Sequence, residues 1–323
     1  MSLRSLSFSL TSEQIGDITN KWCDRHNDDP NRRKWMKHRF HEAIKTSGIV
    51  QELAANPMLL DVLLRCNNDS RYEALSTYRK PLYAMCSRIL LQDWDIKRAI
   101  EGTGNDDCSI DDRDKREILR TVASKMKWHC RDFNMPVIPD YELQTVFEEY
   151  FAKNRFDDPQ QTAKVLIEQL SLFDNHILYY AGYEFHGFYG FAHQGFLDYF
   201  RADDIVYRFE KKREIDLKFL KEYFFGRWYS TWRHGYLSLI TAMIDVKFAS
   251  EIIDYLISQN GEQFEFNNLL LATKCITSIK WWQKSLAEQA KRLRYSLSLR
   301  LSDDMYPENV VIQVRAALYE LKE

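Results

Sequence analysis

Apolar residues recur at three- and four-residue intervals along most of this chain, the period of amphipathic helices rather than of strands. "TSEQIGDITNKWC" sets Ile15, Ile18 and Trp22 on one face, with Ser12 as the expected N-cap. Residues 34–46 predict a second helix and "GIVQELAA" a short third. Asn56-Pro57 predicts the start of a fourth, because asparagine caps and proline suits the first helical position. Its inward face is Leu59, Leu60, Leu63 and Leu64, and "TYRKPLYAMCSRILLQDWD" reads as a fifth helix. Residues 101–112, "EGTGNDDCSIDD", have little to bury and form the clearest boundary in the chain. Beyond it "RDKREILRTVASKMKWHC", "DYELQTVFEEYFAK" and "PQQTAKVLIEQLSLF" predict three more helices.

The period then changes. "HILYYAGYEFHGFYGFAH" is rich in aromatics on both sides of Gly182, which predicts a β-hairpin near 177–191 with Gly182 in its turn. A helix resumes at Gln194, with Phe196 and Phe200 one turn apart. Three helices, a hairpin and a helix over 108–210 make the pattern of a winged-helix domain. From 215 to 323, successive amphipathic segments with short loops suggest stacked helical hairpins of the HEAT-like kind, although no strict period is visible. The expected fold is therefore mainly α: a helical bundle over 11–100, a winged helix with a small hairpin, then helical repeats. Residues 1–10, opening Met1-Ser2-Leu3 and rich in serine, read as a leader.

Composition agrees with this pattern. The 323 residues hold only 11 glycines and 7 prolines, which favours helices, and 45% hydrophobic residues are enough for a core. Forty-five basic residues against 47 acidic ones give a net charge of −2, so no general field holds nucleic acid or an anionic membrane. The basic runs Lys211-Lys212-Arg213 and Lys291-Arg292-Leu293-Arg294 read as solvated helix faces. No apolar run approaches the roughly 20 residues that span a bilayer. The six cysteines, at 23, 66, 86, 108, 130 and 275, are scattered, as in a reduced, cytoplasmic protein.

Cys23-x-x-His26 followed by His38-x-x-His41 has the residue types of a structural zinc site. Pairs spaced by three on two amphipathic helices also recur without any metal, and "DDPNRR" between them reads as an ordinary loop. Two plain helices are the simpler reading. No nucleophile elbow and no H-E-x-x-H motif points to catalysis.

Four separated stretches resemble the NACHT family of signalling NTPases, within the STAND class. Asn56-Pro57-Met58-Leu59-Leu60, then Arg79-x-x-Leu82-Tyr83, then Leu90-Leu91-x-x-Trp94-Asp95 resemble the helical segment that follows the family's NTPase core. "GFAHQGFLDYFRADDIV" is similar to the Phe-x-His-x-x-Phe-x-Glu-Tyr-Phe-x-Ala motif that closes the family's winged helix, with Asp198 in place of the usual glutamate and an elongated hairpin at 181–190. "RWYSTWRHGYLSLITAMI" and "NNLLLATKCI" are similar to the helices after it. The stretches stand in the family's order and span nearly all of 11–323.

The chain has no G-x-x-x-x-G-K-[ST] segment and no Gly-Lys pair, so nothing in it cradles a triphosphate as a P-loop does. The resemblance thus implies the C-terminal part of a longer NTPase whose core lies elsewhere, and no enzyme activity for this chain. It implies that ADP or ATP binds the intact parent and that none binds here alone. It also implies that His193 reaches the β-phosphate of ADP and Pro57 packs on the adenine, holding an inactive state. On the residues alone, His193 is most simply a core histidine at a strand–helix junction, and Pro57 a plain first-turn proline that the Asn56 cap explains. The implied partners are the NTPase core and a trigger protein or ligand, with oligomerisation of the parent on activation, in innate or antiphage defence. Two other functions stay open: a helical protein-interaction scaffold, and a winged-helix nucleic-acid binder. The second lacks a basic recognition helix, since 117–128 and 141–152 carry mixed or acidic charge.

Overall fold

A computed structural model describes residues 9–71, 74–93, 111–128, 136–172, 177–183, 186–230, 233–261, 265–301 and 306–322. Among these, sixteen helices and one three-stranded sheet make the chain mainly α. Residues 1–8 of the expected leader, 101–110 of the expected boundary, Cys108, Cys130, and the Trp94-Asp95 pair lie outside the described residues. Two compact units divide at 197/198, inside a helix.

The first unit opens with five helices: α1 Ser12–His26, α2 Pro30–Thr46, α3 Gly48–Ala54, α4 Pro57–Asn68 and α5 Arg79–Asp93. Each of the first four begins at a side chain that accepts a backbone N–H. Thr11, not Ser12, caps α1: its hydroxyl accepts from Gln14 N at 3.2 Å while Gln14 Oε1 accepts from Thr11 N at 2.9 Å. Ser12 is already helical, and the glutamine three residues after Thr11 completes the reciprocal box. Helix α2 starts four residues before the expected 34, because Asp29 caps it and Pro30 occupies its first turn. Asn56 caps α4 through Met58 N (3.0 Å) and Leu59 N (3.2 Å), with Pro57 at the first position as expected. Leu59, Leu60, Leu63 and Leu64 are all buried.

Helix α6, Asp112–Lys125, is launched by Asp111, whose carboxylate accepts from Arg113 N (2.7 Å) and Asp114 N (2.9 Å). Those N–H groups hold the Asp111 carboxyl below the usual carboxylate range. Asp111→Ala should lower stability by about 1 kcal/mol, the ordinary cost of an N-cap, read as a shift in the urea midpoint without a change in slope. An unchanged midpoint would show that the cap does not matter.

The unit continues with β1 Ile138–Pro139, α7 Asp140–Lys153, α8 Pro159–Leu172, β2 Leu178–Tyr183 and β3 His186–Phe191. The sheet order is β1-β3-β2, all antiparallel. Gly182 is not in the turn; it lies in the ladder opposite Gly187, one pair before Tyr183 and His186. The glycines of β3 make room for tyrosines on β2. A Cβ at Gly187 would meet the Tyr180 ring at 2.6 Å, and one at Gly190 the Tyr179 ring at 2.7 Å. Aromatic rings need this space on a facing strand, and it explains a glycine-rich stretch in a chain otherwise poor in glycine.

Helix α9, Gln194–Glu210, follows β3 and carries over into the second unit. That unit is helical throughout its described residues: α10 Leu217–Phe225, α11 His234–Met243, α12 Val246–Ser258, α13 Asn267–Thr277, α14 Trp282–Ser285, α15 Ala287–Leu301 and α16 Glu308–Glu320. Its core runs from Leu220 and Phe224 through Leu237, Ile240, Ile253 and Leu271 to Leu297 and Val314. Gly226 closes α10, and the buried His234 opens α11 with Nε2 2.8 Å from the Trp228 carbonyl oxygen. No helix among the described residues is long and apolar enough to cross a membrane.

Candidate functional site

His193 sits between the last residues of β3 and the first of α9, where four N–H groups have no partner within the helix. Its ring takes the part a serine or aspartate usually plays. Nδ1 accepts from the Gly195 backbone N–H at 3.0 Å, and the His193 carbonyl accepts from Phe196 N at 3.0 Å. An Nδ1 that accepts cannot also carry a proton, so the imidazole is the neutral tautomer with its proton on Nε2. Burial pushes the ring's pKa down, the Arg79 guanidinium adds to that, and the Glu52 carboxylate opposes it. The positive charge that a histidine beside an anion could carry is therefore not expected at neutral pH; what the ring offers is one fixed N–H donor.

The helix start is held from beneath by Tyr83. A Cβ added at Gly195 would lie 2.7 Å from Tyr83 Cε1 and overlap the hydroxyl oxygen. Tyr83 is fully buried, and its ring meets Phe196 edge-on at 5.6 Å and 71°. Glycine at 195 is thus required by close approach, not by backbone conformation. The stretches Arg79-x-x-Leu82-Tyr83 and His193-x-x-Phe196, more than a hundred residues apart in sequence, meet here.

Arg79 is one turn before Tyr83 on α5, on the same face. Its guanidinium donates to Glu52 Oε2 of α3 at 3.1 Å, and both side chains are partly open to solvent, at 37% and 50%. Glu52 and Arg79 form an ion pair, and the charges of both act on the His193 ring. Pro57 begins the helix after the one that carries Glu52, and it is exposed. Sequence reasoning singled out His193 and Pro57 but missed Arg79, Glu52 and Gly195. The signal that could have found Arg79 is its four-residue spacing from Tyr83.

The four zinc candidates do not assemble as a ligand set: no group of three or more metal-ligating side chains occurs among the described residues. Each histidine for which a bond is seen has local work instead. His26 stacks on Trp22 at 4.1 Å with Nδ1 2.8 Å from the Trp22 carbonyl oxygen, and His41 Nδ1 lies 2.6 Å from that of Lys37. Cys23 is wholly buried, and burial pushes its thiol pKa up, away from the thiolate a metal requires.

Members of both basic runs are engaged with acids or carbonyls. Lys212 pairs with Glu214 at 3.5 Å, as does Arg208 at 3.1 Å. Arg292 pairs with Asp254, and Arg294 donates to the Leu321 carbonyl at 3.2 Å. The aromatic stretch at 219–232 is divided in its packing: Phe224 and Trp228 are core, while Phe219, Phe225 and Tyr229 are exposed. Trp282 is buried and Trp281 is not. Tyr199 is core and Asp198 is half-buried. Compared with known proteins, the chain matches no family model and no curated protein.

Proposed function

We propose that this chain is the regulatory part of a NACHT-type NTPase. In this reading residues 11–100 are the helical domain that follows the NTPase core, 108–210 a winged helix, and 215–323 a HEAT-like, sensor-side domain. His193 donates its Nε2–H to the β-phosphate of ADP, Pro57 offers a rigid apolar face to the adenine, and together they favour the closed, inactive state. A trigger protein or ligand acting on the sensor side shifts the balance towards activation, in the manner of innate or antiphage defence switches. The core that supplies the phosphate cradle, and any oligomerisation on activation, belong to the parent.

One observation carries the proposal. The Gly195 N–H consumes Nδ1 and so fixes the ring's remaining proton on Nε2. A core histidine could be satisfied either way round; a phosphate sensor needs this tautomer. A hydrogen bond from such a donor to a charged phosphate is worth roughly 1.5–3 kcal/mol, enough to tip a switch whose states differ by a few kcal/mol.

The two roles of the ring can be separated. His193→Asn keeps a capping acceptor for Gly195 but removes the Nε2–H, whereas His193→Ala removes both. His193→Ala should cost this chain about 1 kcal/mol in urea unfolding and His193→Asn almost nothing. Both should raise basal signalling of the parent without its trigger. A silent parent carrying His193→Asn ends the phosphate-sensor reading.

A further inference from the structure

We propose that Arg79 is a second ligand of the same phosphate group, and that Glu52 competes with the phosphate for it. This rests on the phosphate-sensor reading of His193 and adds to it a partner and a regulating acid. The geometry has three parts. Tyr83 is pressed against Gly195, whose N–H bonds the His193 ring, so the α5 face that carries Tyr83 is anchored at the ring's own helix start. Arg79 is one helical turn from Tyr83 on that face, a rise of about 6 Å. Its guanidinium is engaged by the Glu52 carboxylate at 3.1 Å, with more than a third of the side chain open to solvent.

Arginine presents five N–H donors in a planar fork, so one carboxylate oxygen leaves capacity for a phosphate. A neutral imidazole supplies direction but no charge, and a polyphosphate of several negative charges needs a cation close by. Arg79 provides one. Glu52, exposed and singly bonded, is a weak competitor: pairs of this kind contribute little in water. An anion that reaches both His193 and Arg79 would exchange the Glu52 contact for its own oxygens. Glu52 then acts as a selectivity element, admitting a doubly charged phosphate oxygen cluster and holding off chloride or a single carboxylate.

Inorganic pyrophosphate titrated into this chain at millimolar concentration, high enough to fill the weak half-site left without the core's cradle, tests the idea by NMR of the His193 ring nitrogens. Pyrophosphate should move the Nε2 resonance and leave the Nδ1 resonance, which the cap holds. Arg79→Gln should weaken that titration roughly tenfold, the usual worth of a charge-assisted bond. Glu52→Gln should tighten it roughly two- to fivefold, by removing an exposed competitor. Both substituted side chains are partly exposed, and a melting curve beside each titration checks that the fold is kept. If His193 responds to pyrophosphate and neither variant changes its affinity, the second-ligand role of Arg79 is wrong and the His193 reading stands. If Glu52→Gln weakens the titration, Glu52 orients Arg79 rather than competes, and the selectivity role is overturned. If Nε2 does not move in any protein, the phosphate site itself is wrong and both proposals fall.

Discussion

Gly195→Ala should destabilise the first unit by about 3 kcal/mol, the upper range for overpacking a close contact. The added methyl would occupy the position of the Tyr83 hydroxyl, and with even the ring carbon Cε1 only 2.7 Å away no easy shift is open. Tyr83 is wholly buried, so its ring cannot swing into solvent to make way. At an ordinary helix position the same substitution stabilises by roughly 0.5–1 kcal/mol, so the sign of the effect is itself diagnostic. Urea unfolding of Gly195→Ala alone and combined with Tyr83→Leu, which shortens the obstructing side chain, gives the coupling. The two changes should interact by more than 1 kcal/mol, as neighbours in contact do. A Gly195→Ala protein as stable as the parent chain would mean that α5 does not press on the start of α9.

The second unit should lose about 3 kcal/mol between pH 6.5 and pH 4, because of His234. This ring is 1% exposed, and burial drives its pKa from 6.5 to about 4, against the smaller opposing effect of its bond to the Trp228 carbonyl; Lys274 lowers it further. The unfolded chain takes up a proton at its ordinary pKa while the folded chain resists until pH 4. In that window the unfolded state therefore binds more protons, and stability falls as the pH falls. Above pH 6.5 the contribution is complete; below pH 4 no more is lost through this group. At about 1.4 kcal/mol per pKa unit the whole shift is worth roughly 3–4 kcal/mol, of which about 3 kcal/mol falls inside that window. His234→Gln keeps a side-chain N–H for the Trp228 carbonyl and removes the titration, so its stability should be flatter over that range. Thermal melts of the two proteins at pH 7, 5.5 and 4.5 make the comparison. Parallel acid losses in both would show that His234 does not titrate on unfolding.

Much of this protein is legible from local rules. Asn56-Pro57 is a helix start whatever surrounds it, because the asparagine oxygen and the proline ring both act within three residues. The inward leucines of α4, the hairpin at 178–191 and the helices of the second unit follow from periods of 3.6 and 2. Local rules also failed locally. Ser12 and Thr11 are both good caps, and only the reciprocal bond to Gln14 decided between them. Gly182 looked like a turn residue because glycine permits turns. Its actual neighbours are the facing strand and Gly187, in a ladder where glycines make room for tyrosine rings.

The candidate site divides along the same line. Sequence marked His193 as an odd residue among aromatics, and its resemblance to a phosphate-sensing histidine gave it a role to test. Which ring nitrogen takes the cap, that Tyr83 lies under Gly195, and that Glu52 pairs with Arg79 are facts of the folded chain. Each depends on side chains from helices far apart in sequence, brought together by burial of Tyr83, Phe196 and the leucines of α4. Periodicity tells which face of a helix turns inward, but not which residue of another helix it will meet. That choice is made by packing, where a missing methyl at Gly195 leaves room for one hydroxyl and so decides which residue of α5 meets the start of α9.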